Sequence, residues 1–224
     1  MKVVTWNILA NEFIEPGVFP PFNSKDRLAQ INNVLHQMDA DIIFLQEVML
    51  PENLPSSYFI FQGKNIKWYN STSQSSNVIL VRKNLFNPRD VSVFHFPFGI
   101  GLRLKSLWLL NVHLDDLSYT KRIQQVKQLL PLLQSRKQII LGGDFNQHYK
   151  STSHLYTLLT DAGLKIYMKN PTYFLDKKMS IDHLMTKGLP TGISTPVNSY
   201  EGDFLKQFRM YGSDHLPVVL HLEL

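Results

Sequence analysis

A recurring pattern in the sequence restricts the possible folds more than any other feature. In each instance, a short apolar run ends in an amide, carboxylate or imidazole side chain. Short apolar runs between turn residues are typical of buried strands. Because rigid sheets hold catalytic side chains at strand ends, the pattern predicts an α/β protein with its polar residues gathered there. The segments that show it are Thr5-Trp6-Asn7, Phe44-Leu45-Gln46-Glu47, Asn111-Val112-His113-Leu114, Gly142-Gly143-Asp144-Phe145-Asn146, Ser180-Ile181-Asp182-His183 and Ser213-Asp214-His215.

Segments with helical periodicity lie between these strands. Apolar residues recur at helical spacing from Leu28 to Met38, and Ser24 is predicted to cap that helix. Ser118 is predicted to cap a second helix, which Pro131 should kink or end early. The length of 224 residues predicts one large domain spanning residues 1–224.

Composition narrows the possible classes of protein. The chain has no cysteine, which excludes disulfide scaffolds, thiolate zinc sites and cysteine nucleophiles. Its formal net charge of +5 favours a polyanionic partner, such as nucleic acid, a phosphoinositide or an anionic membrane. No apolar run approaches the ~18 residues of a transmembrane helix, and the first residues lack the apolar stretch of a signal peptide. A cytoplasmic location is therefore expected, with secretion that needs no N-terminal signal as the alternative.

A carboxylate and an amide stand two positions apart at one strand end. If the backbone between them is extended, Asp144 and Asn146 point to the same side, which suits the orientation and deprotonation of a water. Glu47, with Asp214 or Asn7 nearby, offers oxygen ligands, which favours Mg²⁺ or Mn²⁺ over Zn²⁺. Such a metal would neutralise a phosphoryl oxygen and the developing charge on a leaving oxygen.

Three more residues extend this set. His113 and His215 can donate hydrogen bonds to a phosphate, and Asp182 can fix the orientation and protonation of a histidine. The sequence has no nucleophile elbow, no glycine-rich phosphate loop and no His-Glu-x-x-His motif. The chemistry that this inventory supports is direct attack of a positioned water on phosphorus.

The motifs, taken in order, resemble a known superfamily. Thr-Trp-Asn, Leu-Gln-Glu-Val, Asn-Val-His-Leu, Gly-Asp-Phe-Asn, Ile-Asp-His-Leu and Ser-Asp-His-Leu-Pro are similar to the motifs of the endonuclease/exonuclease/phosphatase superfamily, which includes pancreatic deoxyribonuclease. The resemblance covers residues 3 to about 219. It implies a deoxyribonuclease I-like, four-layer α/β sandwich of two mixed β-sheets flanked by helices, with the site at one rim.

The resemblance also implies a role for each site residue. Glu47 corresponds to the main metal ligand, with Asn7 and Asp214 near or on the metal. Asp144 corresponds to the residue that activates water, and Asn146 to its partner in positioning. The histidine roles fall to His215, which contacts phosphate and pairs with Asp182, and to His113. His183 stands where several relatives have tyrosine, and we expect it to pack beside the site rather than act in it.

Local similarities and basic residues bear on the substrate. Residues 7–10 resemble deadenylases and residues 41–48 resemble tyrosyl-DNA phosphodiesterases. Arg103, which precedes the His113 strand, is a candidate for following a phosphate backbone, and Asn111 is assigned to substrate binding with it.

We therefore predict an enzyme: a monomeric Mg²⁺- or Mn²⁺-dependent phosphodiesterase that hydrolyses DNA or RNA by in-line attack of water. The alternative is a phosphatase or phosphodiesterase that acts on phospholipid or phosphoinositide head groups at a membrane surface. A loop with Phe13, Phe19 and Phe22 fits either substrate, because aromatic rings stack on bases and also enter lipid interfaces. A catalytically silent binding module is a third reading, and the complete set of catalytic residue types argues against it.

Overall fold

Two β-sheets pack face to face, and helices cover the outer face of each sheet. The computed structural model describes residues 1–49, 53–67, 74–167, 170–175, 178–190, 192–196 and 203–223. Within these residues the layers run helix, sheet, sheet, helix. The predicted four-layer α/β sandwich is confirmed.

The first sheet is built mainly from the two ends of the sequence. Its strands are β1 (Lys2–Asn7), β2 (Ile42–Val48), β3 (Tyr58–Gln62), β4 (Ile66–Lys67), β5 (Gln74–Arg82), β12 (Gly192–Pro196) and β13 (Val218–Leu222). They lie in the order β12-β13-β1-β2-β5-β3, with β4 also paired to β5. Strands β1 and β2 run parallel, so both deliver their carboxyl ends to the same rim.

The second sheet is built from the middle of the chain. Its strands are β6 (Val91–Phe96), β7 (Gly99–Leu104), β8 (Leu107–His113), β9 (Gln138–Asp144), β10 (Lys165–Ile166) and β11 (Asp182–Lys187). They lie in the order β10-β11-β9-β8-β7-β6. Strands β8 and β9 run parallel, and β11 runs antiparallel to β9, so that Asp182 is paired with Asp144.

Four helices cover the sheets within the described residues. They are α1 (Ser24–Met38), α2 (Tyr119–Ser135), α3 (His154–Asp161) and α4 (Phe204–Tyr211), with short 3₁₀ turns at Asn11–Phe13 and Pro88–Asp90. Helices α1 and α4 lie on the first sheet, and α2 and α3 lie on the second.

Two details of the predicted helices are wrong. The cap of α1 is Asn23, whose side chain accepts the Lys25 N–H, and Ser24 is the first helical residue. Helix α2 does not end at Pro131 but continues to Ser135, because the helix packs its apolar side against the second sheet through Leu129 and Leu133. The predicted cap of α2 is confirmed, since Ser118 accepts the Lys121 N–H.

The alternation of side chains along each strand brings the polar strand ends together. On β9, Ile139 and Leu141 face the helices, whereas Ile140 packs between the sheets. With a side-chain period of two, Gly142 and Asp144 follow Ile140 on the face between the sheets. The same phase holds on the other strands, in the series Val3-Thr5-Asn7, Leu109-Asn111-His113 and Leu184-Asp182.

We predict that Gly143→Ala destabilises the fold strongly. Gly143 has φ +145°, and a Cβ there would lie 1.9 Å from the backbone oxygen of Val112 on the neighbouring strand. Since neither backbone can move without breaking the β8–β9 ladder, we expect a loss of at least about 3 kcal/mol of unfolding free energy in urea titrations. Gly17→Ala is the control, because Gly17 has φ +89° with open space around its Cβ. A loss as small as that of Gly17→Ala would contradict the prediction.

Candidate active site

An open cleft of about 490 Å³ lies where the strand ends meet. Its lining includes the imidazoles of His113 and His215 and the amides of Asn7 and Asn146. It also includes five carboxylates, namely those of Glu15, Glu47, Asp116, Asp144 and Asp214. The described lining contains no Lys or Arg. A phosphate in this cleft would therefore be held by a protonated histidine, by neutral donors such as the amides and the Tyr173 hydroxyl, or by a bound cation.

Asn7, the last residue of β1, joins the two carboxylates at the centre of the cleft. Its Nδ2 donates to Glu47 Oε1 at 2.8 Å and to Asp144 Oδ2 at 3.1 Å. Its Oδ1 accepts the Leu9 N–H at 3.0 Å, and the Ala10 N–H donates to Glu47 Oε2 at 2.8 Å. Both oxygens of Glu47 are therefore fixed by the end of β1 and the segment that follows it.

The backbone is left-handed at three non-glycine residues of this region. Leu9 has φ +56°, Glu47 has φ +60° and Asn146 has φ +48°. At Glu47 the pairing of β2 with β5 shifts register between Leu45 and Val48. A bulge of this kind re-aims a side chain, and here it turns Glu47 into the cleft. Such conformations cost about 1–3 kcal/mol each and cluster at functional sites.

Asp144, the last residue of β9, is buried at the base of the cleft between two histidines. Its Oδ2 lies 3.7 Å from His113 Nε2 and 3.8 Å from His215 Nε2. Its Oδ1 accepts the Asn146 N–H at 2.8 Å, while Asn146 Nδ2 donates to Leu114 O at 2.9 Å. This network fixes the carboxylate in one orientation relative to both imidazoles.

Asp182, Thr172 and His215 form a second buried network. Asp182 Oδ2 accepts the Thr172 hydroxyl at 2.6 Å and lies 2.8 Å from His215 Nδ1. Ligand atoms of Asp144, Asp182 and His215 also lie within 4.8 Å of one another, so this group could hold a metal ion. We assign Asp182 Oδ2 to hydrogen bonding, because Thr172 and His215 already share it, whereas Asp182 Oδ1 is buried with no hydrogen-bond partner within the described residues.

Burial and neighbouring charges shift the protonation of the site. Burial raises the pKa of the Asp144 carboxyl to about 7, and the charge of Asp182 acts in the same direction. Burial also raises the pKa of Glu47 and of Asp214, and lowers that of His113. For His215, burial favours the neutral imidazole, but the charges of Asp182 and Asp214 outweigh it and raise its pKa well above the usual range.

We predict that the protein loses stability in chelator as the pH rises. Glu47, Asp144 and Asp214 have raised pKa values, so between about pH 4 and 7 the folded state binds more protons than the unfolded chain. The raised pKa of His215 also makes stability fall as the pH rises above its pKa in the unfolded chain. The lowered pKa of His113 has the opposite effect on stability, because the folded state binds fewer protons there. Each group contributes at most about 1.4 kcal/mol per pH unit.

Melting temperatures measured in chelator from pH 5 to 8 would check this prediction. The fall should be shallower in Asp144→Asn, which removes one of the shifted carboxyls, and it should also be shallower when Mn²⁺ replaces the chelator. A melting temperature that rises across this range would contradict it.

The sequence pattern of the Endonuclease/Exonuclease/phosphatase family matches residues 4–215 of the chain. The protein belongs to this family. The superfamily predicted from the ordered motifs is therefore confirmed, and this Endonuclease/Exonuclease/phosphatase protein is a hydrolase of phosphoric esters. No curated protein has a sequence that matches the chain.

Solved structures share the fold of this family member along its whole length. A humanized TDP2 of D. rerio covers 100% of the chain and 99% of its own, with a TM-score of 0.67 and 15% identity. Bacteroides thetaiotaomicron mannosyl-6-phosphatase Bt3783 covers 100% of both chains, with a TM-score of 0.64 and 19% identity. The Neisseria 3′ phosphatase NExo, bound to a product DNA hairpin, covers 100% of both chains, with a TM-score of 0.64 and 16% identity. At these identities the likeness extends to the fold alone.

The fold of this family member brings together all eight residues that the sequence places on the metal or in catalysis. Asn7, Glu47, His113, Asp144, Asn146, Asp214 and His215 line the cleft, and Asp182 lies directly behind His215. His183 is fully buried, and its Nε2 lies 2.8 Å from the Tyr156 hydroxyl, so it packs beneath the site.

The structure does not support the two residues assigned to substrate binding. Arg103 is exposed and pairs with Trp108 near the β7–β8 turn, at the far end of the strand from His113. Asn111 is fully buried between the sheets, where it accepts from Gln46 and donates to Leu45 O and Val78 O. Its polar atoms are used to join the sheets, so none is available to a substrate.

The predicted aromatic loop is mostly packed. Phe19 is buried, with its ring 5.5 Å from that of Phe204 and 5.0 Å from that of Phe208, whereas Phe22 is 37% exposed. Phe13 lines the cleft. In the described residues, none of the helices combines the length and the apolar character that a membrane crossing requires.

Sequence reasoning missed two buried residues beside the site. Thr172 carries the hydroxyl that holds Asp182, and nothing in the sequence distinguishes it from other threonines. Arg27 lies four residues before Ile31, on the apolar side of α1. A charged residue in phase with an apolar stripe is a signal that could have found it.

Proposed function

We propose that the protein is a Mg²⁺- or Mn²⁺-dependent phosphodiesterase that hydrolyses nucleic acid by attack of water on phosphorus. The observation that carries the proposal is the position of Asp144. This buried carboxylate lies at the base of an open cleft, with one oxygen within 4 Å of two imidazoles and hydrogen-bonded through Asn7 towards Glu47. A carboxylate so placed can orient a water and accept its proton.

The acidic residues around Glu47 fit a divalent cation. Glu47 is the main ligand in this proposal, with Asp214 and Asn7 beside it. These residues offer only hard donors of the kind that Mg²⁺ and Mn²⁺ prefer. Asp214 Oδ1 is buried and accepts no hydrogen bond within the described part of the chain. A bound cation supplies charge neutralisation at a phosphoryl oxygen and at the leaving oxygen.

The protein's own residues position the water and the phosphate. Asp144 accepts the proton of the attacking water, and Asn146 fixes the Asp144 carboxylate through its backbone N–H. His215 is protonated because Asp182 stabilises its imidazolium, so its Nε2 can donate to a phosphoryl oxygen. His113 is the second donor towards the phosphate, through the Nε2 atom that faces Asp144.

Three features favour nucleic acid as the substrate. The net charge of +5 attracts a polyanion. The cleft is open, and the rings of Phe13 and Tyr173 in its wall can contact bases. The Neisseria structure of the same fold contains a DNA hairpin product.

One gel tests the proposal. The purified protein and its Asp144→Asn variant are incubated with end-labelled single-stranded DNA or RNA, with Mg²⁺ or with chelator. We expect cleavage that requires Mg²⁺ and is lost in the variant. Comparison of the product ladders would then show whether DNA or RNA is preferred and whether cleavage starts at an end of the strand.

Two parallel incubations identify the alternative substrates. Val18 and Phe22 are exposed on the aromatic loop, which favours hydrolysis of lipid phosphates at an anionic vesicle surface as the second candidate function. Phosphate release from a sugar 6-phosphate tests a reaction like that of the Bacteroides neighbour. If either substrate is hydrolysed while DNA and RNA stay intact, the nucleic-acid assignment is wrong.

A further inference from the structure

Arg27 on α1 is almost fully buried, with 6% of its surface exposed. A buried guanidinium is costly unless each of its five N–H donors is used. Here all five are used. Nη1 donates to Ile8 O at 2.9 Å and to Gly212 O, and Nη2 donates to Leu9 O and, at 2.8 Å, to Asn11 Oδ1. Nε donates to Asn11 Oδ1 at 3.1 Å.

These bonds join two segments that are distant in sequence. Ile8, Leu9 and Asn11 belong to the segment after β1, whereas Gly212 ends α4. Arg27 therefore holds, with one rigid planar group, both segments that flank the part of the cleft around Glu47 and Asp214.

The first segment fixes Asn7 and Glu47. Its Leu9 N–H binds Asn7 Oδ1 and its Ala10 N–H binds Glu47 Oε2. Leu9 holds a left-handed conformation at φ +56°, which persists only where surrounding contacts impose it. The bond from Arg27 to Leu9 O is such a contact.

The second segment fixes Asp214. Gly212 has φ +73°, and a Cβ on it would lie 3.1 Å from Arg27 Cγ, so the turn rests directly on the Arg27 stem. Ser213 follows, and its hydroxyl donates to Asn7 O at 2.7 Å. Asp214 comes next and lines the cleft.

We propose that Arg27 is a positioning residue that sets the spacing between Glu47 and Asp214, and thereby the affinity of the site for its divalent cation. The inference rests on the proposed function, because it takes Glu47 and Asp214 as the residues that hold the cation. Arg27 does not line the catalytic cleft but a separate cavity of about 330 Å³ on the other side of Glu47. It acts through the residues it holds and touches neither substrate nor reacting atoms.

The charge of Arg27 and its geometry predict opposite effects on metal binding. Burial lowers the pKa of Arg27 to about 10, and the charges of Glu47 and Asp214 raise it, so the group is a cation at neutral pH. A nearby cation repels a divalent metal ion. If the charge of Arg27 dominated, its replacement by a neutral side chain would tighten metal binding. If the hydrogen bonds of Arg27 dominate, the same replacement weakens metal binding, because the network of five donors is lost.

Mn²⁺ binding by the full-length, metal-free protein tests the inference by calorimetry. Arg27→Gln removes the charge and the network, and Arg27→Lys keeps the charge but removes the planar fork. We expect both to weaken Mn²⁺ binding by about 10- to 100-fold, as for other residues that orient metal ligands. Tighter or unchanged binding in Arg27→Gln, or unchanged binding in Arg27→Lys, would overturn the inference.

Arg122→Gln is the matched control. Arg122 on α2 is 9% exposed and donates to the backbone oxygens of Asp115 and Asp116. Arg122 also donates to Gln147 Oε1, and it contacts neither Glu47 nor Asp214, so its replacement should lower the melting temperature while leaving the Mn²⁺ affinity at the wild-type value. Equal weakening in Arg122→Gln would show that general destabilisation explains the effect, and would overturn the inference.

Two variants keep the inference testable if Arg27→Gln fails to fold. Arg27→Lys retains a buried cation and an apolar stem. Gly212→Ala, whose added methyl group presses on the same stem, should weaken Mn²⁺ binding in the same way.

Glu47→Gln separates this inference from the proposed function. If the wild type binds Mn²⁺ and Glu47→Gln does not, the metal site stands whatever Arg27 does. If the wild type binds no Mn²⁺, the metal site fails and the inference fails with it.

Discussion

Replacement of Asp144 by asparagine should lower kcat on a phosphodiester substrate by about 10²- to 10⁴-fold, the range for removal of a general base. The asparagine has the same shape, and its Oδ1 can still accept the Asn146 N–H, but its Nδ2 replaces the oxygen that accepts from Asn7, so that one hydrogen bond is lost. It cannot accept a proton from water. The substitution also removes a carboxylate whose ionised form is disfavoured by burial and by Asp182. The variant should therefore stay folded at pH 8, where its activity is lowest relative to the wild type.

Steady-state kinetics at saturating Mg²⁺, with melting temperatures on the same samples, check this expectation. Asp116→Asn is the control, because Asp116 lines the same cleft but is exposed and bonds to Arg122 through its backbone oxygen. We expect its kcat to stay close to that of the wild type. Equal losses in the two variants would mean that cleft charge matters and that Asp144 has no special role.

The site could be predicted because strand periodicity and motif order carry the same information. Asp144 follows Ile140 at a period of two, so the phase that buries the apolar residue also aims the carboxylate between the sheets. The parallel pairing of β1 with β2, and of β8 with β9, then brings four strand ends to one rim. Local sequence was sufficient for these residues, because the alternation of side chains along a strand decides which face of the sheet each residue lies on.

The strand β7 could not be predicted, because its sequence contains two glycines that argue against a strand. A Cβ on Gly99 would lie 2.3 Å from Asn111 O, and one on Gly101 would lie 2.9 Å from the Leu110 side chain. These glycines are required by close contact with β8, which only the folded structure reveals. Helix α4 was missed for another reason. It has only eight residues, and its apolar side becomes clear only when Phe204 and Phe208 pack on Phe19.

Asn111 and Arg103 show where proximity in sequence misleads. Both lie near His113 along the chain, but the pleat and the strand direction separate them from the cleft. Asn111 points between the sheets two residues below the rim, and Arg103 lies at the opposite end of β7. Which polar residues reach a substrate depends on depth along the strand, and the motif alone does not give that depth.

Replacement of Asp182 by asparagine should move the whole pH–rate profile to lower pH. The charge of Asp182 raises the pKa of His215 and also that of Asp144. Without that charge, Asp144 loses its proton at lower pH, so the rise in rate comes earlier. His215 also loses its proton at lower pH, so the fall in rate comes earlier as well. Both limbs of a bell-shaped profile then shift in the same direction.

The size of the effect follows from the loss of the phosphate donor. Once His215 is neutral, it can no longer donate through Nε2 when its other nitrogen carries the proton, and loss of one such donor costs about 10²- to 10³-fold in kcat. At lower pH the imidazolium returns, and much of the activity should return with it. Thr172→Val removes the hydroxyl that bonds Asp182 Oδ2 but keeps the charge, so its profile should stay near that of the wild type. A uniform loss of rate across pH 5.5 to 9 in Asp182→Asn would show that Asp182 only holds His215 in place, and that its charge does not set the protonation of the site.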